Sequence, residues 1–147
     1  MKDTFNNQLM FSAVPPAVLD VVWPDVAPLL QKATDTSNNR YDLNSVHNAL
    51  RTGKIALWVV MDGTTPIAAL TTRVSQMPGT RALAIDWMGG TRMREWLPQV
   101  HETLSSYGKA YGCTEMHGFG RRAWLRWLAP HGWEQDYIAY RVDLTDG

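Results

Sequence analysis

The sequence has a single cysteine, no excess of either charge and no long apolar run. Cys113 alone cannot form an internal disulfide, and the first residues lack the apolar core of a signal peptide, so we expect an intracellular location. Lysine and arginine together number 14, as do aspartate and glutamate, so charge gives no argument for a nucleic-acid partner. The apolar run over residues 55–61 is too short to cross a bilayer. We therefore expect a soluble protein without a membrane span.

The length of 147 residues is that of one ordinary domain, and we expect a single packed core over residues 1–147. Residues 1–14 are predicted to form a loosely ordered N-terminal arm. Seven tryptophans are many for this length. Large aromatic side chains either anchor a core or form a contact surface, and core packing is the commoner outcome.

A proline-containing apolar stretch follows the arm. Pro24 and Pro28 lie inside it, and proline suits the first turn of a helix but breaks its interior. We favour a helix over residues 25–32. A strand over 17–23 before a helix that starts near Pro24, or two short helices, also fits. Residues 34–40 are rich in turn-forming side chains and are expected to be a loop.

Three further helices are predicted. Asp42 or Asn44 is a good N-cap for a helix that ends near Gly53, where glycine can adopt the left-handed conformation. Apolar residues recur at three- and four-residue spacing over 91–111, which indicates an amphipathic helix with Pro98 in its first two turns or at a kink. A shorter apolar pattern around residues 124–128 predicts the last helix.

Strands are predicted from short apolar or alternating runs that are bounded by turn residues. Asp62-Gly63 is expected to be the turn of the most secure hairpin, and Pro78-Gly79 the next turn. Gly89-Gly90 is expected to end the third strand of this meander. The predicted strands cover residues 55–61, 66–74, 81–88, 113–119 and 137–144.

This order of elements resembles the GNAT acyltransferase fold, over about residues 42–144. Two local patterns support the resemblance: Met88-Gly-Gly-Thr-Arg92, which ends a strand at a helix start, and His131-Gly-Trp133, which ends a helix before the last strand. The resemblance implies an α/β fold of the α+β type, with a central mixed, mostly antiparallel sheet and helices on both faces. It also implies an N-acyltransferase that uses acetyl-CoA and needs no metal.

A narrower resemblance is to small GNAT-like proteins encoded among the structural genes of tailed bacteriophages. It depends on one stretch, Gly118-Phe-Gly-Arg-Arg-Ala-Trp-Leu-Arg-Trp-Leu-Ala-Pro-His-Gly132. Those proteins are often divergent at the enzyme's key positions, and some are thought to be virion components. The resemblance therefore implies a location in the cytoplasm of a bacterial host or in a virion.

The resemblance places a cofactor site at Met88, Gly89, Gly90, Thr91 and Arg92. Backbone N–H groups at a helix start, together with the helix dipole, favour an anion such as the pyrophosphate of acetyl-CoA. Arg92 or Arg94 would add positive charge. The alternative is purely structural: the glycines end a strand and Thr91 caps a helix, since the spaced glycines of the family are absent.

Candidate catalytic residues are acidic or imidazole side chains on the central strands. Asp86, Glu115 or His117 could take a proton from an attacking amine, and alternation puts Glu115 and His117 on one side of their strand. The alternative for each is a hydrogen-bonded or surface residue. The tyrosine that the family commonly uses to protonate the leaving thiolate corresponds here to Leu128, and the asparagine that often opens its helix corresponds to Arg121.

Other chemistry-bearing residues fit ordinary structural roles. His47 and His101 fall on helix surfaces without a partner at ligand spacing, so we expect no metal site. Cys113 is expected to be a small core residue. The cations Arg121, Arg122 and Arg126, around Trp124 and Trp127, form either an anion or partner site or a solvated helix face.

Three hypotheses about function follow from the sequence. The first is an acetyl-CoA-dependent N-acyltransferase whose acceptor is an amine on a small molecule or a protein. The second is a non-catalytic protein that keeps the fold and binds phage structural proteins or itself through exposed tryptophans. The third is an unrelated mixed domain without a small-molecule site.

Overall fold

A five-stranded sheet forms the centre of the molecule in a computed structural model that describes residues 9–37, 40–120 and 122–145. The strand order is β1-β2-β3-β4-β5; neighbours from β1 to β4 are antiparallel, and β5 is parallel to β4. The strands are β1 (Leu9–Ala13), β2 (Ala56–Asp62), β3 (Thr65–Gln76), β4 (Arg81–Gly90) and β5 (Glu115–Gly118). The helices are α1 (Leu19–Asp35), α2 (Leu43–Arg51), α3 (Met93–Ala110) and α4 (Leu125–Leu128).

Helices cover both faces of this sheet, as the resemblance to the GNAT fold implied. Alternate residues of β2 belong to different cores: Leu57 and Val59 pack with α1 and α2, whereas Trp58 and Val60 pack with α3. This is the period-two alternation of a strand that is buried on both sides. The observed architecture is the predicted mixed, mostly antiparallel sheet between helical layers.

Helix α1 is longer than the predicted helix over 25–32, and the alternative strand over 17–23 is wrong. The helix runs through Pro24 and Pro28, both of which lie on its exposed side. Its opposite side buries apolar residues at helical spacing, including Leu30, which is fully buried. Burial of that face outweighs the backbone hydrogen bonds that the two prolines remove. The expected loop over 34–40 therefore begins later, after Asp35.

Helix α2 and the β2–β3 hairpin confirm the sequence predictions. The Asp42 carboxylate accepts a hydrogen bond from the Ser45 amide (2.9 Å), and the Ser45 hydroxyl accepts one from the Asp42 amide (3.2 Å), which makes a capping box. In the hairpin, Gly63 has φ +62°, a conformation that favours glycine.

The N-terminal arm was predicted wrongly where the structure describes it. Residues 9–13 form β1, which pairs with β2, and the Leu9 side chain is buried in the core on the α3 side. Residues 9–13 are Leu-Met-Phe-Ser-Ala, so the segment is mostly apolar although polar residues precede it, and burial of its apolar side chains favours an ordered strand. Residues 1–8 of the predicted arm lie outside the described residues.

The last part of the chain also differs from the prediction. The strand expected over 113–119 is shortened to β5, and the helix around 124–128 is one α-helical turn between two short 3₁₀ turns. Residues 137–144 were expected to be a strand, and they form none. Strand geometry needs a neighbouring edge. Among the described ranges, nothing pairs with this segment.

Candidate functional site

The last residues of β4 have no partner in β5, and this unpaired side of β4, called the opening below, is the main feature of the sheet. The two strands pair from Ala82 opposite Glu115 to Ile85 opposite Gly118, and their pairing ends there. Beyond that point β4 continues to Gly90 with β3 as its partner on one side. Helix α3 begins directly afterwards, so its N-terminus adjoins the opening. The fold therefore places a helix dipole beside a gap in the sheet.

A β-bulge lies at the start of this opening. Leu70 pairs with Met88 and Thr72 pairs with Ile85, so the single residue Thr71 lies opposite both Asp86 and Trp87. Trp87 packs with the core on the α1 and α2 side, and Asp86 bonds to Arg73 of β3. Bulges redirect side chains and are frequent beside active sites.

The glycines of the predicted cofactor loop are required by close packing. A Cβ atom on Gly89 would overlap the carbonyl oxygen of Leu29 in α1. Gly90 has φ +147°, and a Cβ atom there would lie 2.5 Å from the Cα atom of Ala68. The Thr91 amide already donates a hydrogen bond to the carbonyl oxygen of Ile67 (3.0 Å). The structural alternative from the sequence thus accounts for both glycines, which end β4. Its other part is wrong, because Arg92 and not Thr91 is at the N-cap position of α3.

Arg92 is held by two carboxylates. It caps α3 in the left-handed conformation (φ +60°), and its guanidinium donates to Glu95 (2.8 Å twice) and Asp62 (2.6 Å). The hydrogen bond to Glu95, and then the one to Asp62, raises the pKa of Arg92, and Arg92 lowers the pKa of Glu95. One cation between two anions leaves no surplus positive charge for a phosphate.

A groove between α3 and α4 carries positive charge. The guanidinium groups of Arg94 and Arg126 lie 4.7 and 5.2 Å from the ring centre of Trp127. The groove has a volume of about 480 Å³. The remaining residues that line it are Leu97, Pro98, Pro130 and His131. Near its end, the first N–H groups of α3, on Met93 and Arg94, have no acceptor within the helix because of helix geometry. Two guanidinium groups and the free amides of a helix N-terminus are chemistry that favours an anion.

Glu115 and His117 lie on one face of β5, as the alternation predicted, and they contact each other. Nε2 of His117 lies 2.8 Å from Oε1 of Glu115. His117 pairs with Ala84, one residue before the strands stop pairing, and its side chain is 27 % exposed. An imidazole that is oriented by a carboxylate at the edge of a cleft has the arrangement of a general base.

Asp86 is on the same face as this pair, but its charge is neutralised. Nε and Nη2 of Arg73 lie 2.6 and 3.2 Å from the two carboxylate oxygens. The hydrogen bond to Asp86 is the main cause that raises the pKa of Arg73. Both carboxylate oxygens of Asp86 therefore accept hydrogen bonds from the guanidinium in a bidentate pair, which gives Asp86 a structural partner within the sheet.

The other histidines have specific partners that the sequence did not reveal. His47 stacks on Trp23, and its Nε2 lies 3.2 Å from Asp20. Nδ1 of His101 accepts a hydrogen bond from the Trp133 indole (3.1 Å), and the His131 ring centre lies 5.0 Å away. Burial, and then His131, lowers the pKa of His101.

Leu128 is half-buried against the core on the α3 side, so the position of the usual tyrosine has an apolar packing role. Arg121 lies outside the described residues. Cys113 is buried, as predicted. Within the described ranges, three or more His, Cys, Asp or Glu side chains nowhere come together as metal ligands would. The helices described there include none with the length and hydropathy of a membrane span.

No protein-family model matches the sequence, and no curated protein is detectably similar to it. Solved structures, in contrast, are similar over almost the whole chain. One is a probable acetyltransferase, with a TM-score of 0.69 and 11% identity over 94% of this chain and 99% of that one. An aminoglycoside acetyltransferase from an uncultured soil metagenomic sample, in complex with sisomicin, has a TM-score of 0.66 and 13% identity, over 96% and 99% of the two chains.

A third similar structure is the ribosomal-protein-alanine N-acetyltransferase from Brucella melitensis biovar Abortus. Its TM-score is 0.66 and its identity 14%, over 93% of this chain and 99% of that one. At these identities the similarity shows the fold alone. The chain has the mixed α/β fold of the GNAT acetyltransferases.

Proposed function

We propose that this protein is an N-acyltransferase that moves an acetyl group from acetyl-CoA to an amine on a small molecule or a protein. The observation that carries the proposal is the opening beyond Ile85 and Gly118, at the N-terminus of α3. A thioester that enters the opening would have the helix dipole on one side and the His117–Glu115 pair near its inner end.

The donor's phosphates are assigned to the groove between α3 and α4. Arg94 and Arg126 supply positive charge there, and the first amides of α3 supply N–H donors. Arg92 is assigned a positioning role, because its pairing with Asp62 and Glu95 fixes the start of α3. The backbone of Met88 to Thr91 forms the wall of the opening, and Gly89 and Gly90 let that wall pack closely against its neighbours.

The transfer step uses His117 as the general base. The amine nitrogen attacks the thioester carbonyl, His117 takes the amine proton, and the carbon–sulfur bond breaks to give an amide and a thiolate. Glu115 holds the imidazole in place. A free thiol has a pKa of about 8.5, so the thiolate can leave and take a proton from water, and the apolar Leu128 does not block the reaction.

The experiment is an acetyl-CoA thiol-release assay with a panel of primary amines. Replacing His117 by Gln should lower kcat about 10²–10⁴-fold, the usual contribution of a general base, with a small effect on KM for acetyl-CoA. His47→Gln is the matched control, because His47 lies on α2 and contacts Trp23 and Asp20 instead. An H117Q variant with the wild-type rate would contradict the assignment of the base.

A second candidate is a non-catalytic binding protein with the same fold. Two observations favour it: Leu128 at the position of the usual proton donor, and the neutralised charge of Arg92. It predicts no thiol release with any amine and no rise in melting temperature at millimolar acetyl-CoA, since a ligand that binds the folded state must raise it. The phage relationship, the virion or host-cytoplasm location and the phage structural partners stay predictions from the Gly118 to Gly132 stretch.

A further inference from the structure

An extended segment after Trp133 exposes a row of apolar side chains. In residues 137–144, the four alternate residues Ile138, Tyr140, Val142 and Leu144 are between 53% and 91% exposed. The residues between them include Arg141 and Asp143. This is the alternation of a strand with one buried face. The segment makes no backbone hydrogen bond to another element in the described parts of the chain.

The sheet offers an open edge to such a strand. β5 is last in the strand order, and within the described ranges its outer edge has no neighbour. On the α3 side this edge presents Met116, with Trp133 and Leu128 half-buried on the same core. On the other side it presents Glu115 and His117. The edge is short and carries Glu115, but it has no proline and no bulge, two of the devices that block strand addition.

The segment starts close to that edge but does not occupy it. The Trp133 ring packs against Gly118 at the end of β5, and the His101 ring holds its indole N–H. Residue 137 follows four positions later. A return along β5 of the same molecule is therefore within reach of the chain, and it is not made.

We propose that residues 137–144 of one copy add as an antiparallel strand to the β5 edge of a second copy, and reciprocally. The alternation of apolar side chains and the pairing of opposite charges select one register. In it, Tyr140 lies opposite Met116, and Arg141 lies opposite Glu115. Ile138 and Tyr140 then lie on the α3 side of the partner's β5, and Val142 and Leu144 extend past the start of that strand. A two-fold axis satisfies both edges and both segments at once, so the assembly closes as a dimer. The inference does not depend on acyl transfer.

The first test measures the mass of the whole protein by light scattering over a range of concentrations. We expect twice the chain mass of 16.6 kDa. Tyr140→Asp puts a charge on the inner face of the added strand and should weaken the dimer at least ten-fold. Ala139→Asp adds the same charge on the outer face and should leave the mass unchanged. Both positions belong to a segment that is exposed in the single chain, so folding should not change. A monomeric wild type, or equal effects of the two variants, would overturn the proposal.

A cross-link separates the partner's edge from the chain's own edge. Glu115→Cys combined with Arg141→Cys places thiols on facing residues of the proposed register, and the native Cys113 is buried. After mild oxidation with diamide, a non-reducing gel should show a covalent dimer. A disulfide within the monomer would mean that the segment closes on its own β5, and it would overturn the proposal.

Discussion

The substitution Gly90→Ala tests most sharply whether close packing requires a glycine at this position. The new Cβ atom would lie 2.5 Å from Cα of Ala68, whereas carbon atoms in contact are normally about 3.5–4.0 Å apart. One strand must therefore move by roughly 1 Å, an overpacking that costs about 1–3 kcal/mol. The backbone at φ +147° adds about 1–3 kcal/mol for a residue with a side chain. We expect a total loss of about 4 kcal/mol in the free energy of unfolding.

Urea denaturation followed by tryptophan fluorescence measures this loss. With an m-value of about 2 kcal/mol per molar, the midpoint should fall by about 2 M. Gly79→Ala is the matched control, because a Cβ atom at Gly79 meets nothing within 4 Å; its midpoint should stay close to that of the wild type. Equal midpoints for the two variants would refute the claim that Gly90 is fixed by packing. A stability loss would also make Gly90 unsuitable for probing cofactor binding.

Two further predictions concern buried contacts. Trp58→Phe removes the indole N–H that donates to the Thr72 hydroxyl (2.9 Å). The unsatisfied hydroxyl should lower the free energy of unfolding by about 1–3 kcal/mol, and adding Thr72→Val should recover part of this loss. No recovery in urea denaturation would contradict this interpretation. Burial, and then His131, lowers the pKa of His101 in the folded protein, so the unfolded state binds more protons as the pH falls. The contribution of His101 to the free energy of unfolding is therefore complete above a pH of about 6.5, and it is lost as the pH falls through the folded-state pKa. His101→Gln should therefore reduce the loss of stability between pH 7.5 and 5.5, and an unchanged loss would point to another group.

The parts of the fold that the sequence predicted depend on local chemistry. The capping box of α2 needs only Asp42 and a residue three positions later, and the β2–β3 hairpin needs a glycine between two apolar runs. The shared face of Glu115 and His117 follows from alternation alone. Such signals lie within a few residues, so one sequence contains them fully.

The parts that were predicted wrongly or missed depend on distant residues. Helix α1 passes through two prolines because of the core that it covers. The neutralisation of Arg92 at the start of α3 needs Asp62, which is on β2, and the pairing of Asp86 with Arg73 is formed across two strands. The alternation over 137–144 indicates a strand but cannot supply its partner edge. The spacing of residues along one sequence does not reveal any of these contacts.

Calorimetric titration of acetyl-CoA into the purified protein tests the central claim most directly. We predict one binding site per chain, with an affinity at least ten-fold weaker in the Arg94→Gln, Arg126→Gln double variant, because charge-assisted hydrogen bonds are each worth about 1.5–3 kcal/mol. Arg51→Gln is the control for loss of a positive charge away from the groove, since Arg51 lies on α2 and contacts Asp20. Absence of binding at millimolar acetyl-CoA would contradict the proposed acyltransferase. Equal affinities in all variants would contradict the placement of the phosphates in the groove between α3 and α4.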